Sequence, residues 1–198
     1  MEREAKYVVA RDVLFPPLAV AGGVVTPHRS AWLETTYWDT PDHILAADGM
    51  SLRHRRGEGW TAKREISAGT VIVNRSERHF AGEETAPPEE ALGFLGVAER
   101  ADQLAPAVRL RVLRLRRDIH ADGDEELLVE VIDDHVEVLD PAWRQAGSFR
   151  EVELEVMCPA GEDALQTLVA RVAAAGIRGE EPMPKYERAL FLLEQLDG

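Results

Sequence analysis

The sequence predicts a mainly β protein: an eight-stranded antiparallel β-barrel, closed around a charged interior and flanked by peripheral helices. About eight segments show the period-two alternation of β-strands, in which residues two apart share a face. Nearly all of them are joined by hairpins or short connections, which is typical of an antiparallel sheet. Several strands carry charged side chains on one face and apolar side chains on the other. A barrel with a polar interior and helices outside explains both faces.

Composition restricts the protein class before any motif is considered. The 198 residues are 45% hydrophobic and 30% charged, which is enough for a single domain over residues 1–198. The formal net charge of −13 argues against general nucleic-acid binding. The single cysteine, Cys158, cannot form an intrachain disulfide and fits a reducing cytoplasm. The N-terminus is charged, and the longest apolar stretch, residues 15–25, is broken by proline and glycine, so we expect a cytoplasmic protein without a membrane span.

The first half of the chain predicts five strands, and turn signals separate them. These strands are residues 2–9, 32–38, 50–56, 60–66 and 71–80. The aromatic and β-branched run Trp32–Trp38 favours a strand. Gly57-Glu58-Gly59 predicts a tight hairpin turn. Prolines and glycines leave only a short helix or turn at residues 11–18, followed by a loop.

The same half predicts two short helices between strands. Asp39 to Asp42 form a turn with a helix-capping candidate, so one or two helical turns follow over residues 43–48. Pro87 and Pro88 suit the first turn of a helix over residues 87–95, because proline lacks the N–H that this turn leaves unused.

The second half predicts strands at residues 108–119, 127–133, 135–139 and 149–157, then helices at 162–175 and 185–196. Along the first of these strands, Arg109 and Arg111 share one face, whereas Arg114 and Arg116 fall on the other. A bulge near Leu113 would bring both pairs to one face; otherwise Arg114 and Arg116 lie outside.

The charged strand faces predict a site for a metal and an anion. Glu2, Glu4 and Lys6 share one face, and Glu151, Glu153 and Glu155 share another. Carboxylates are the ligands that Mg²⁺ and Mn²⁺ prefer, while arginine and lysine bind phosphate. Like charges in a dry interior are costly. An acidic wall facing a basic wall therefore predicts a metal that bridges to a bound polyanion.

The charged residues lie in an ordered series of segments that resembles the CYTH domain of the triphosphate tunnel metalloenzyme family. Glu2-Arg3-Glu4-Ala5-Lys6 resembles the family's ExExK motif. The other similar segments are Tyr37–Pro41, Ser51–Arg55, Trp60–Lys63, Arg75–Glu77, Arg109–Arg111, Glu130–Asp134, Arg150–Glu155 and Pro184–Leu190, in which Pro184 replaces the usual serine. ExExK alone is weak, but nine segments in order, from residue 2 to about 193, are specific.

This resemblance implies a tunnel-shaped barrel that binds triphosphate compounds and uses Mg²⁺ or Mn²⁺. The implied metal ligands are Glu2, Glu4, Glu153 and Glu155. The implied phosphate-binding residues are Lys6, Arg53, Arg55, Lys63, Arg75, Arg109, Arg111 and Lys185. Further acidic candidates for the interior are Glu77, Glu130, Asp133 and Glu151, and the implied catalytic residues are Glu4, Glu153 and Lys6.

The leading functional hypothesis is a metal-dependent triphosphatase that acts on inorganic triphosphate or a small organic triphosphate. A class IV-type adenylate cyclase and a thiamine triphosphatase are the enzymatic alternatives. For the thiamine triphosphatase Trp38 and Trp60 are candidate stacking surfaces, although we expect both tryptophans to pack in the core. The alternative from another class is a non-catalytic module that binds polyphosphate or a nucleotide. The expected partner is a small-molecule triphosphate or polyphosphate, with no nucleic acid and no membrane; monomer and homodimer both remain open.

Overall fold

The structure is a computed structural model that describes residues 3–68, 73–177 and 183–197. Glu2 lies outside the described residues, and the side chain of Arg75 is likewise outside what the structure describes. The strands are β1 (Arg3–Val9), β2 (Gly23–Val25), β3 (Arg29–Asp39), β4 (Met50–Arg55), β5 (Gly59–Ala68), β6 (Val73–Phe80), β7 (Ala105–Ala121), β8 (Leu127–Leu139) and β9 (Gln145–Val156). The α-helices are α1 (Ile44–Ala47), α2 (Glu89–Leu95), α3 (Glu162–Ala174) and α4 (Lys185–Asp197).

These strands form one antiparallel sheet in the order β1-β9-β8-β7-β3-β4-β5-β6, with β2 paired to β7. The predicted mainly β class with eight antiparallel strands and peripheral helices is therefore confirmed. The prediction of a closed barrel is corrected. Across the described residues β6 and β1 form no pair, so the sheet is an open half-barrel. The reason is that alternation in a sequence defines which face each residue takes, whereas pairing between the two edge strands depends on how far the sheet curls.

Helix α4 packs against one half of the concave face. Its residues Tyr186, Ala189 and Leu190 form an apolar cluster with Val108, Leu110, Val112, Val136 and Val138 of β7 and β8. A β-carbon at Gly147 of β9 would lie 3.2 Å from Leu192 Cδ1, which shows how closely the helix approaches the sheet. The other half of the concave face carries the charged residues.

The convex face packs against the remaining helices. Helix α3 contributes Leu165 and Leu168 to a cluster with Val152 and Leu154 of β9. Helix α2 packs with Trp60 of β5, and the rest of that cluster includes Trp38, Leu52, Ala62, Leu92 and Leu95. Among the residues described, no helix is both long and apolar enough to cross a bilayer.

Several predicted elements differ from the structure. Strand β8 is continuous over the two segments that were predicted separately, and β2 was not predicted. Of the helix or turn predicted at residues 11–18, only a turn at residues 11 and 12 forms. The ladder between β7 and β8 runs without a register shift from Arg109 to Ile119, so the bulge near Leu113 is absent. Because the strand stays in phase, the side chains of Arg109 and Arg114 point to opposite faces.

Candidate functional site

A charged cavity of ≈ 220 Å³ lies on the concave face. Each of the eight strands in the main path contributes to its lining, which shows how strongly the sheet curls, and the start of α4 borders it. The charged lining residues are Glu4, Lys6, Arg53, Arg55, Lys63, Glu77, Arg114, Glu130, Glu153, Glu155, Lys185 and Glu187. Acidic and basic side chains thus share one small space.

Three carboxylates form a row across neighbouring strands. Glu4 of β1 pairs in register with Glu155 of β9, and Glu155 pairs with Glu130 of β8. Side chains directly opposite one another in such ladders have β-carbons about 5 Å apart. Burial raises the pKa of Glu130, although Arg116 contacts its carboxylate at 2.6 Å and works against that shift. This row supplies carboxylate oxygens as possible ligands, and a cation bound among them would reduce the repulsion between their negative charges.

Two lysines lie between buried carboxylates. Lys6 Nζ is 2.8 Å from Glu153 Oε1 and 3.4 Å from Glu151 Oε1. Lys185 Nζ is 2.7 Å from Asp134 Oδ2, 3.2 Å from Glu151 Oε1 and 3.5 Å from Glu153 Oε1. Burial alone would lower the pKa of each lysine, but these carboxylates outweigh it and raise both values. Both ammonium groups therefore stay charged at neutral pH.

The neighbouring carboxyls Glu151 and Glu153 respond to this arrangement in opposite directions. Burial raises the pKa of Glu151, whose side chain is fully buried. Burial acts in the same direction on Glu153, but Lys185 and Lys6 together hold the pKa of Glu153 well below its ordinary value. Glu153 is therefore an ionised carboxylate at the edge of the cavity.

The basic wall is built from β4 and β5. Arg55 donates to Thr35 Oγ1 at 3.3 Å and to Glu58 at 3.0 Å. Burial and then the charge of Arg53 lower the pKa of Arg55. Lys63 forms a close ion pair with Glu77 of β6. Within the described part of the chain, the buried Nε of Arg53 finds no hydrogen-bond acceptor.

Tyr37 lies among these cations and stacks on Tyr186, with ring centroids 4.8 Å apart and planes 7° from parallel. Burial would raise the pKa of Tyr37, but Arg53, Lys185 and Arg55 reverse this and lower it. Burial raises the pKa of both Tyr7 and Tyr186.

We expect one of the three tyrosines to ionise below the ordinary value of 10.0 in an ultraviolet absorbance titration. Tyr37→Phe should remove that transition, since the phenol is acidified by cations that stabilise its anion. Inorganic triphosphate should move the transition to higher pH, because the polyanion neutralises the same cations. A transition unaffected by Tyr37→Phe would contradict the assignment.

The structure brings most of the predicted site residues together. The cavity is lined by Glu4, Lys6, Arg53, Arg55, Lys63, Glu77, Glu130, Glu153, Glu155 and Lys185. Glu151 lies behind this lining, where it contacts Lys6 and Lys185. Trp38 and Trp60, the candidate stacking surfaces, are buried in the cluster beneath α2 and do not line the cavity.

Three predicted residues lie on the convex face, and their placement is corrected. Arg109 donates to Thr36 and Glu84 at 2.8 Å, and Arg111 pairs with Glu137 at 3.1 Å. Asp133 pairs with Arg150 at 2.7 Å. Their strands stay in phase, and the concave positions between residues 108 and 112 are apolar because α4 covers them.

Arg114 and Asp134 take the concave positions instead, and sequence reasoning missed both. Arg114 lines the cavity and Asp134 lies behind it. The signal was present: Val108, Leu110, Val112 and Arg114 share one parity in a segment without proline or glycine after Pro106. An uninterrupted strand keeps these side chains on one face, which changes from apolar to charged along its length.

The donor set fits a divalent cation that shares its coordination with a ligand. Across residues 3–68, 73–177 and 183–197, no group of three or more His, Cys, Asp or Glu is arranged to hold a metal ion by itself. Mg²⁺ in proteins commonly uses one or two carboxylates and completes its shell with water and phosphate oxygens. Glu4 and Glu155, directly opposite one another at the cavity, provide that kind of partial site.

Comparison with known proteins finds relatives over most of the chain. The CYTH domain model matches residues 1–186. Two uncharacterized Mycobacterium tuberculosis proteins, MT2285 and Rv2226, are each 26% identical over 175 residues, covering 81% of this chain and 34% of their own length. The chain thus spans about a third of the length of these curated relatives.

Two solved structures share the fold over nearly their full length. A candidate adenylate cyclase from Bacillus halodurans is 16% identical with a TM-score of 0.53, covering 95% of this chain and 96% of its own. HpAC1 from Hippeastrum, a candidate adenylyl cyclase described as having a dominant triphosphatase activity, is 13% identical with a TM-score of 0.53, covering 96% and 95%.

Proposed function

The chain belongs to the CYTH domain family, and on that premise we propose that it is a divalent-metal-dependent triphosphatase. Its substrate is inorganic triphosphate or a small organic triphosphate, and hydrolysis takes place in the charged cavity of the half-barrel. The dominant triphosphatase activity described for HpAC1 from Hippeastrum, which shares the fold, agrees with this choice.

One observation carries the proposal: a row of carboxylates and a wall of arginine and lysine line the same cavity. A purely anionic ligand needs only the basic wall. A cation alone needs only the acidic row. A triphosphate bound together with a divalent metal uses both.

The basic residues bind and orient the phosphates. Arg53 and Arg55 come from one strand and Lys63 from the next, so their N–H groups converge on the cavity from one side. Lys6 and Lys185 face them from β1 and α4, and their raised pKa values keep both protonated. Charge neutralisation of this kind stabilises the spread negative charge of a phosphoryl-transfer transition state.

The carboxylates have different roles in metal binding and in the orientation of water. Glu4 and Glu155 would hold Mg²⁺ or Mn²⁺, which supplies Lewis-acid stabilisation of charge on the phosphate oxygens. Glu153 is a weak base because its pKa is well below normal, so it orients Lys6 and the attacking water. Glu4, which contacts Lys6 at 3.9 Å across the cavity wall, is assigned to the metal and not to proton acceptance, because neighbouring cations make a carboxylate a weak base.

The test is phosphate release from inorganic triphosphate, ATP and thiamine triphosphate, each measured with Mg²⁺, with Mn²⁺ and with EDTA. We expect release that requires metal from at least one substrate. Arg53→Ala should weaken it, while Arg111→Ala, which removes an arginine from the convex face, should not. Cyclic AMP formation without phosphate release would instead support a cyclase, and tight triphosphate binding without turnover would support a binding module; either result overturns the proposal.

A further inference from the structure

Behind the cavity lies a pair of carboxylates that do not line it. Asp134 and Glu151 are both 0% exposed. Between them they contact three cavity-lining cations: Arg114, Lys6 and Lys185. Buried carboxylates are costly unless they are paired, so this arrangement has a consequence for how the cations are held.

Asp134 holds two of these cations in defined orientations. Arg114 Nε donates to its Oδ1 at 2.9 Å, and Arg114 Nη2 donates to its Oδ2 at 2.7 Å. Lys185 Nζ donates to the same Oδ2 at 2.7 Å. A bidentate arginine–carboxylate pair fixes the plane of the guanidinium as well as its position. The remaining N–H groups of Arg114 are thereby directed away from Asp134.

Glu151 acts differently, because its contacts are longer. It lies 3.4 Å from Lys6 and 3.2 Å from Lys185, and neither of its oxygens makes a hydrogen bond within the described residues. Contacts of that kind balance charge without setting direction. Asp134 is therefore the buried group that defines where Arg114 and Lys185 point.

We propose that Asp134 is a positioning residue for polyphosphate, which orients Arg114 and Lys185 so that their free N–H groups meet the phosphate oxygens. This inference rests on the proposed function and adds residues to the same site. It concerns binding geometry and requires no metal. It also explains why a buried carboxylate lies beside a site for a polyanion.

Electrostatics alone makes the opposite prediction. Removing a negative charge next to the cavity should tighten the binding of a polyanion. Loss of orientation should weaken it, because Arg114 and Lys185 become free to turn away from the ligand. The sign of the change in affinity therefore separates positioning from simple charge balance.

The chain offers a matched control one residue away. Asp133 forms the same bidentate pair, with Arg150 Nε at 2.8 Å and Nη2 at 2.7 Å, but on the convex face. Asp133→Asn and Asp134→Asn each remove one carboxylate charge from a bidentate arginine pair. Only Asp134→Asn changes the groups at the cavity.

The experiment measures the Kd for inorganic triphosphate by calorimetry in EDTA for the wild type and both variants. We expect Asp134→Asn to raise the Kd about tenfold or more, since it weakens the charge-assisted hydrogen bonds that orient Arg114 and Lys185. Asp133→Asn should leave it near the wild-type value. Tighter binding by Asp134→Asn would overturn the proposal.

Two further measurements test the proposal if the Asp134→Asn variant does not fold. Asp134→Glu keeps the charge but moves it by one methylene, so we expect weaker binding, and unchanged binding would overturn the proposal. In the wild type, triphosphate should shift the Arg114 Nε–H resonance, assigned with Arg114→Lys; no shift would overturn it as well. If the wild type neither binds nor hydrolyses triphosphate, the proposed function and this inference are both overturned. If the wild type does both and Asp134→Glu binds triphosphate equally well, only the inference is overturned.

Discussion

Glu153→Gln is expected to lower the kcat for metal-dependent triphosphate hydrolysis by about a thousandfold, which is typical for removing one group that stabilises charge at the reacting centre. Glu153 is the cavity-lining carboxylate that contacts both lysines, at 2.8 Å from Lys6 and 3.5 Å from Lys185. Glutamine has nearly the same shape but no charge. Lys6 and Lys185 then lose their shared counter-charge and shift away from the phosphates, and water loses an ionised acceptor. Steady-state kinetics at saturating Mg²⁺ measures the effect.

A matched control lies on the convex face. Glu137→Gln removes a carboxylate that pairs with Arg111 at 3.1 Å, so it should leave kcat and KM close to wild type. Thermal unfolding of both variants separates loss of catalysis from loss of fold. Wild-type rates in a folded Glu153→Gln protein would show that the acidic wall has no part in turnover.

Asp39→Ala is expected to lower the free energy of unfolding by about 3–5 kcal/mol, the range for removing one partner from a buried charged network. Asp39 is buried and accepts five hydrogen bonds, of which the one from Thr40 Oγ1 is the longest at 3.4 Å. Its Oδ1 accepts from the Thr40 and Leu45 amides at 2.7 and 2.9 Å, and its Oδ2 accepts from the Ala46 amide at 3.1 Å and the Tyr186 hydroxyl at 2.8 Å. One side chain therefore ties the start of α1 and the start of α4 to the end of β3. Urea denaturation measures the loss.

Tyr186→Phe isolates one of these five bonds. It keeps the ring that stacks on Tyr37 and removes only the hydroxyl, so a loss of about 1–2 kcal/mol is expected for a hydrogen bond to a charged acceptor. If Asp39→Ala cost no more than Tyr186→Phe, the amides of α1 would not depend on the carboxylate. Asp39 belongs to the segment Tyr37–Pro41 that resembles the family, and it does not itself line the cavity.

Much of the candidate site could be predicted from strand alternation. Glu4 and Lys6 share a parity, as do Arg53 and Arg55, and the structure places all four at the cavity. Each pair lies in a short strand, where its two charged residues are two positions apart. In such strands a local pattern is enough, because the period of two does not depend on the rest of the fold.

Alternation failed on β7 for a physical reason that is not local. The strand is 17 residues long, and its concave positions meet α4 in one half and the cavity in the other. Charged residues were assumed to face inward everywhere, so Arg109 and Arg111 were placed at the cavity and a bulge was needed for Arg114. The packing of α4 decides which set of alternating residues in β7 is polar. This helix begins 46 residues after the end of β8 in the chain.

The sequence by itself determined the mainly β class, the strand faces and nine of the strand residues that line the cavity, because side-chain direction in a strand follows from covalent geometry. Lys185 of α4 was identified through the family resemblance alone. Only the tertiary structure decided three other features. They are the open seam between β6 and β1, the division of the concave face by α4, and the position of Asp134 behind Arg114. Each depends on contacts between segments that are distant in the chain, and the free energy of such contacts is set by how the elements pack together, which no local pattern encodes.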